Sequence, residues 1–485
     1  MTLNTTQKTK EIRQAWDWHV RRQCENSRQL EVTGDLEAAR AALAGCWSVI
    51  GKRPIVEKLP KDTQAELLMQ IGSLSRQIGS TKQISGAQEF AKDLLAESER
   101  LFEDLGDLDK VSDAQRNLGL CYWREGAFDE GRILFRNALS NAISSKNRLR
   151  ALIDSTTVEI STGHYLEALS LLDQATPLLE EADNFYKGSY HIQLALTHKK
   201  MGALDNALIE YSAASLHLNQ AGNSRYLALV ENNIGTVLLE MQRYADSLIH
   251  LDRARDLFVT LKDAGHAAQV NEARAQALIG MGKYLEAERA AFAAVNALER
   301  SDEQSLLAEA LLTLGIALAR LGKTASARDA FEHAAKITAV CGDLNASGTA
   351  YLVMIEELRR FLAPGEAAQL LLEADERLGS SVRAESIARL RSCMRIAFDS
   401  LNKEEASIDA TLIGGTLEEE LFHFEAQLIK RALDQADGSV TRAARLLGMT
   451  HQGLAWSLSH RHKQLLRWRK PSRRRHESII KPVKQ

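Results

Sequence analysis

The residues whose types and spacing carry chemistry lie near the C-terminus, in the run GSVTRAARLLGMTHQGLAWSL from Gly438 to Leu458. Thr441, Arg442, Thr450, His451, Gln452, Gly453 and Trp456 bring donors, acceptors, an open backbone and a ring suited to the edges and phosphates of double-stranded DNA. Arg461, Lys463 and the run Arg473, Arg474, Arg475 follow, and such cations neutralise backbone phosphates and release counterions. Gly438 to Gln485 holds 12 Lys and Arg against one acidic residue, Glu477, giving +11, whereas the remaining residues carry −14. The overall charge of −3 therefore hides two parts of opposite sign. A solvated basic tail open to any acidic partner is the plainer reading. Beside a paired-helix pattern, nucleic acid is the expected partner.

Two short helices must position these groups. Ser439 is suited to cap the first, on which Val440, Ala443, Ala444 and Leu447 form an apolar stripe. Gly448 supplies the reversal, Thr450 caps the second helix, and Leu454 and Leu458, four apart, pack inward. Thr450, His451, Gln452, Gly453, Ala455 and Trp456 are then left outward. This pattern resembles the Fis-type helix-turn-helix family through Gly438, Thr441, Arg442, Ala443, Ala444, Leu447, Gly448, Met449, Leu454 and Leu458. The resemblance covers about 45 residues. It extends back over a helix from Leu417 to Ala436, with Leu417, Leu421, Phe424, Leu428 and Ala432 on one face and Thr416 with Glu419 as a capping box. The resemblance implies a recognition helix in the major groove and a preceding helix that takes part in dimerisation. Ala455, Trp456 and Ser457 stand where family members usually carry Arg or Lys.

The rest of the chain is a helical repeat. Small residues at Gly131, Ala168, Ala207, Ser247, Ala287, Ala327 and Ala367 recur at spacings of 37, 39, 40, 40, 40 and 40. Each follows a Gly-x-aromatic or Gly-x-aliphatic turn and precedes an apolar residue four later, as in Gly163-His164-Tyr165 leading to Leu172. A fixed period of this size marks a solenoid. Leu118-Gly119, Ile234-Gly235 and Leu314-Gly315 mark the first helix of each unit, where a mid-helix glycine costs about 1 kcal/mol and so calls for close approach of a partner helix. The pattern resembles the tetratricopeptide repeat, lengthened to about 40 residues, and is similar to repeats of peptide- and signal-sensing bacterial regulators. The implied fold is an all-α right-handed solenoid of helical hairpins with a concave groove, followed by a small helix-turn-helix domain and a basic tail. Weaker copies are expected around Gly34-Asp35-Leu36 with Ala39 and around Gly72 to Gly79. Gly106, Gly222, Gly265 and Gly342 read as helix C-caps.

The expected divisions are an N-terminal helical region with degenerate repeats at 1–109, the solenoid at 110–401, a linker at 402–415, the helix-turn-helix domain at 416–470 and the basic tail at 471–485. Arg383 to Leu401 reads as a final helix sealing the last repeat. Asn117 and Asn233 both fall two residues before the helix glycine, at equivalent places on the concave side. The resemblance implies that they grip a peptide backbone or terminus; a solvated or locally hydrogen-bonded amide is the plainer alternative.

Five cysteines, Cys24, Cys46, Cys121, Cys341 and Cys393, are far apart among apolar helix residues. They read as buried thiols of a reducing compartment. No apolar run approaches a membrane span and the N-terminus lacks a signal-peptide core, so a cytoplasmic protein without membrane contact is expected. The sequence carries no phosphate-binding loop, H-E-x-x-H or G-x-S-x-G, so no catalytic residue, metal site or cofactor is assigned. His451, His460, His462 and His476 read as phosphate- or base-facing. Trp456 and Trp468 are suited either to DNA or to packing the small domain. The expected function is a non-enzymatic DNA-binding transcriptional regulator, a homodimer whose repeats receive a protein or peptide. The alternative is an interaction scaffold with a degenerate helix-turn-helix.

Overall fold

The computed structural model describes residues 5–82, 84–299, 303–363, 365–379, 384–405 and 417–468, and Arg473, Arg474, Arg475, His476 and Thr416 lie outside them. It forms two units, Met1–Glu303 and Gln304–Gln485. The first contains α1 (Thr5–Val32), α2 (Leu36–Ala42), α3 (Lys61–Thr81), α4 (Ala87–Leu105), α5 (Leu108–Arg124), α6 (Phe128–Asn141) and α7 (Ser145–Ser161). It continues through α8 (Tyr165–Ala175), α9 (Asn184–Lys200), α10 (Leu204–Gln220), α11 (Ser224–Glu240), α12 (Tyr244–Thr260), α13 (Ala264–Gly280) and α14 (Tyr284–Leu298). The second holds α15 (Gln304–Arg320), α16 (Thr324–Val340), α17 (Leu344–Leu358), α18 (Glu366–Leu378), α19 (Ala384–Glu405), α20 (Leu417–Gln435), α21 (Val440–Leu446), α22 (His451–His460) and a 3-10 turn, Lys463–Trp468. Among the described residues there is no strand.

The hairpins follow from a repeated local grammar. Asp107, Asp183, Asn223, Asp263 and Asp343 each cap a first helix, their side chains accepting the N–H three residues on. Before four of these caps the chain turns with positive φ, which glycine adopts most easily, as at Gly106 (φ 72), Gly222 (φ 70) and Gly342 (φ 83); Ala182, before Asp183, does not. Gly265 departs from the expectation. It lies inside α13, and Lys262 (φ 55) makes the turn instead. The cap Asp263 fixes that register, so the helix begins before Gly265.

The periodic small residues sit where paired helices cross. Ala168, Ala207, Ser247, Ala287 and Ala327 are all fully buried. Ser247 occupies the alanine place because its Oγ donates to the Gly235 carbonyl at 2.7 Å. A Cβ on Gly235 or Gly315 would come within 2.6 Å of Leu251 or Phe331. The glycines are thus required by close approach. Phe135, Tyr211, Leu251 and Phe331, the apolar residues of the same register, are buried. Each such side chain contributes roughly 1.5–3 kcal/mol.

Gly34 and Ala39 take repeat-like places: Asp35 caps α2 and Ala39 is fully buried. In the second unit, α19 buries Cys393, Leu390 and Ala397 against Leu352, Ile355 and Leu378, closing the last hairpin as expected. This helix runs on to Glu405, so the first residues of the expected linker are helical. Cys24, Cys46, Cys121 and Cys393 are buried, but Cys341 is exposed at the C-cap of α16. The expectation of five buried thiols fails there because that position faces solvent at the helix end.

Candidate functional site

Two places gather groups able to recognise a ligand. The first is the helix-turn-helix. Asp437 (φ 49) and Gly438 (φ 74) end α20 and reverse the chain, and Ser439 caps α21. Val440, Ala443, Ala444, Leu447, Leu454 and Leu458 bury together with Leu428, Ile429, Ala432 and Leu433 of α20. Ile387 of α19 joins this core. Gly448 (φ 61) makes the turn, and Thr450 Oγ1 accepts the Gly453 N–H at 3.0 Å. A Cβ on Gly453 would stand 3.1 Å from that cap oxygen, which explains a glycine in the first turn of a helix.

Packing Leu454 and Leu458 inward leaves Thr450, His451, Gln452 and Trp456 exposed, with Gly453 and Ala455 half-buried beside them. Trp456 is 56% exposed, and His460 stacks on it at 5.0 Å. Thr441 and Arg442 are exposed at the start of α21, Arg442 lying 3.9 Å from Asp437. Lys463 is exposed in the 3-10 turn. Arg461 is exposed but 3.4 Å from the Glu425 carboxylate. His462 is fully buried, 4.4 Å from the Phe422 ring and 3.4 Å from Glu425. It therefore does not face a phosphate, because the turn after α22 folds it back onto α20. Trp468 packs on the small domain's own core, flanked by Lys430 and Arg467.

The second place is a lumen of about 680 Å³ in the first unit, bounded by the inner faces of α3, α5, α7, α9 and α11 and by the end of α1. This is within the range of ligand-holding clefts. The wall is completed by contacts far apart in sequence: Asn223 donates to the Val32 carbonyl, and Arg225 to that of Gly34. Eight cations line the lumen against four carboxylates, alongside Leu120, Ile153, Trp123, Phe185, Tyr186 and Tyr226. Most charges are matched. Asp113 lies 2.6 Å from Arg150 and 3.7 Å from Arg116, and Arg116 also reaches Asp154 at 2.5 Å. Arg225 pairs with Asp263 at 2.8 Å, while Arg28 and Lys110 converge on Glu66. Burial alone would raise the Asp113 pKa, yet Arg150, Arg116 and Lys110 hold it below the ordinary carboxylate value. Burial would likewise lower the Arg116 pKa, and Asp154 with Asp113 raise it instead.

Of the two asparagines singled out by register, Asn117 lines this lumen. Its Nδ2 donates to the Asp113 carbonyl at 2.9 Å, and its Oδ1 accepts from Arg76 at 3.5 Å. Asn233 is half-buried on α11 and is not among the lining residues. The charged lumen itself was not read from the sequence. Its signal is there, because partners recur one period apart, as in Arg116 with Asp154, 38 residues on.

Residues 421–455 match the family described as bacterial regulatory protein, Fis family. No curated protein sequence is significantly similar to the chain. Among solved structures, the apo form of RapI is 12% identical, with a TM-score of 0.51, covering 72% of this chain and 99% of its own. The apo form of the quorum sensor NprR from B. thuringiensis is 13% identical, with a TM-score of 0.50, covering 76% of this chain and 96% of its own. No helix among the described residues is long and apolar enough to cross a membrane. A tetratricopeptide-like solenoid of helical hairpins thus carries, at its C-terminal end, a helix-turn-helix of the Fis family.

Proposed function

We propose that the protein is a cytoplasmic, DNA-binding transcriptional regulator whose repeat lumen receives a short peptide or protein segment. The observation that carries the DNA reading is the exposed face of α22: His451, Gln452 and Trp456 project from a helix held by the Leu454–Leu458 stripe and the Thr450 cap. Gln452 is suited to a bidentate contact with adenine, and Trp456 with His460 offers a ring surface to a base or sugar. Thr441, Arg442 and Lys463 are assigned to phosphates, Arg461 being held by Glu425 instead, and Arg473, Arg474 and Arg475 to the backbone or minor groove. One small helix-turn-helix binds weakly, so a homodimer reading two half-sites is part of the proposal. The lumen reading is supported by the size and mixed polarity of the cavity, and by structural likeness to a protein described as a quorum sensor. Asn117, and less directly Asn233, are assigned to that ligand.

The test is binding of labelled random and genomic duplex DNA by the full-length protein across a salt series. The expected result is binding that weakens with salt, with specific fragments enriched from the genomic pool. Q452A/W456A should erase that enrichment and leave the salt-dependent component. Absence of binding at low salt would overturn the regulator and leave an interaction scaffold. That second reading is favoured by one observation: α22 from His451 to His460 contains no Lys or Arg.

A further inference from the structure

Within the lumen, three cations have no carboxylate partner among the described residues: Arg76, Arg124 and Lys146. Arg76 has a buried Nε without a hydrogen-bond partner, and among the described residues its guanidinium hydrogen-bonds only the Asn117 amide, at 3.5 Å. Arg124 lines the same lumen from the last residue of α5, its guanidinium 5.1 Å from the Trp123 ring. Lys146 sits 5.9 Å over the Tyr186 ring. Two lumen carboxylates stand without a cation: Glu31 is occupied by Gln70, Ser73 and Gln77, which donate to it, and Asp109 accepts the Ile143 and Ser144 N–H groups. Neither is therefore the counter-ion of the arginines.

Like charges held together without a counter-ion repel, and more strongly where protein displaces water. The Arg124 pKa is lowered, first by burial and then by the charge of Arg76, although its side chain is open to the solvent of the lumen. Both facts fit a guanidinium projecting into an enclosed aqueous space beside a second cation. Neighbouring salt bridges are closed, so these arginines are not reserves for a structural pair.

We propose that Arg76 and Arg124 form an anion site in which the carboxylate or phosphate group of the lumen's ligand docks. Guanidinium forks suit either anion, the Asn117 amide supplies a neutral contact, and the Trp123 ring and Leu120 side chain receive the adjoining apolar body. The identity of the site deepens the proposed peptide-receiving role and rests on the lumen being a ligand site. Its anion chemistry stands apart from whether the anion is carried by a peptide.

The experiment uses the full-length protein and defined probes. Sodium phosphate and sodium acetate are titrated calorimetrically at constant ionic strength against chloride. Dye-labelled random pentapeptides, with free or amidated C-termini, are then measured by polarisation. Wild type should bind at least one anion saturably. R76Q/R124Q should bind it at least tenfold more weakly, R76K/R124K should recover part of the loss, and the exposed-site control R100Q should match wild type. Removing two repelling charges keeps the double variant folded, which circular dichroism checks. Equal anion affinity in wild type and R76Q/R124Q, or no saturable binding in wild type, overturns the site. A preference for free-acid over amidated peptides, lost in R76Q/R124Q, identifies a peptide carboxylate as the anion. Anion binding without any peptide binding keeps the site and removes the peptide. Peptide binding that is indifferent to R76Q/R124Q removes the site and keeps the peptide.

Discussion

Asp113→Asn tests whether the lumen wall is held by its ion pairs. Asp113, Arg116 and Arg150 side chains are 13%, 11% and 19% exposed, and Asp113 stands between the two arginines. The amide keeps the shape and removes the charge. Arg116 retains Asp154, but Arg150 loses its carboxylate. Breaking a fully buried pair costs about 3–5 kcal/mol. Lumen water offsets part of this, so we expect about 3 kcal/mol. At 1.4 kcal/mol per factor of ten, amides of α5 and α7 should exchange hydrogen roughly 100-fold faster. D113N/R150Q, which removes the orphaned cation as well, should recover more than half of the loss. The assay is native-state hydrogen exchange resolved by peptide mass spectrometry, with α15 and α16 as internal controls. Less than tenfold acceleration in D113N, or a double variant no slower than the single, would refute the reasoning. The same variant makes the lumen more positive, so it should bind the anion probes more tightly, not less.

Gly315→Ala gains about 1 kcal/mol of helix propensity, but its Cβ meets the buried Phe331 ring at 2.6 Å. Overpacking costs roughly 1–3 kcal/mol, so net destabilisation of up to about 2 kcal/mol should appear as faster exchange in α15 and α16, and slower exchange would contradict the close-approach account. Thr450→Ala removes the α22 cap and should cost about 1 kcal/mol in thermal denaturation of the small domain. Trp456→Ala, at an exposed position, should leave that melting unchanged within about 0.5 kcal/mol while weakening DNA binding; a large loss of stability would place the ring in the core. Asp113 and Asp263 have lowered native pKa values, each against the opposing effect of burial, through neighbouring cations and, for Asp263, His266. A depressed native pKa stabilises above the unfolded value of about 3.9 and is lost as pH falls through the native one. Stability of the first unit should therefore decline below about pH 4, and D113N/D263N should flatten that decline; an unchanged acid limb would exclude these two groups as its cause.

The repeats were legible because close helix approach constrains residue size at fixed intervals. Ala207, Ser247 and Ala287 each fill a crossing point with no spare volume, so their small size shows in the sequence without any knowledge of partners. The helix-turn-helix was legible for the same reason, through Ala444 and Gly448. Charged residues on inner helices carry no such mark. Asp113, Arg116 and Arg150 look like an ordinary solvated face until the period places each beside a partner in the next repeat. The contact of α1 with α11 has no local signal at all, since Asn223 and Val32 are 191 residues apart. His462 differs from exposed His460 by two positions, and only the fold of the turn after α22 separates their fates.

The same distinction between size and charge bears on how the small domain would read DNA. Neutral groups dominate the outward face of α22, and the nearest cation past its end, Arg461, is engaged by Glu425. Glu425 lies on α20 and belongs to the domain's own packing, so its hold on Arg461 opposes any phosphate contact by that arginine. Phosphate neutralisation then falls to Arg442, Arg445, Lys463, Arg467 and the basic residues that follow in sequence. Affinity and base reading are thereby assigned to different residues. Salt should weaken the first without altering the ranking of sequences by the second. Measuring the sequence preference of wild type at two salt concentrations examines this directly. A constant ranking with a falling affinity supports the division, and a preference that vanishes together with affinity would mean that Gln452 and Trp456 do not read bases. Releasing Arg461 by Glu425→Gln should then raise non-specific affinity and steepen the salt dependence by about one phosphate contact, leaving the ranking as it was.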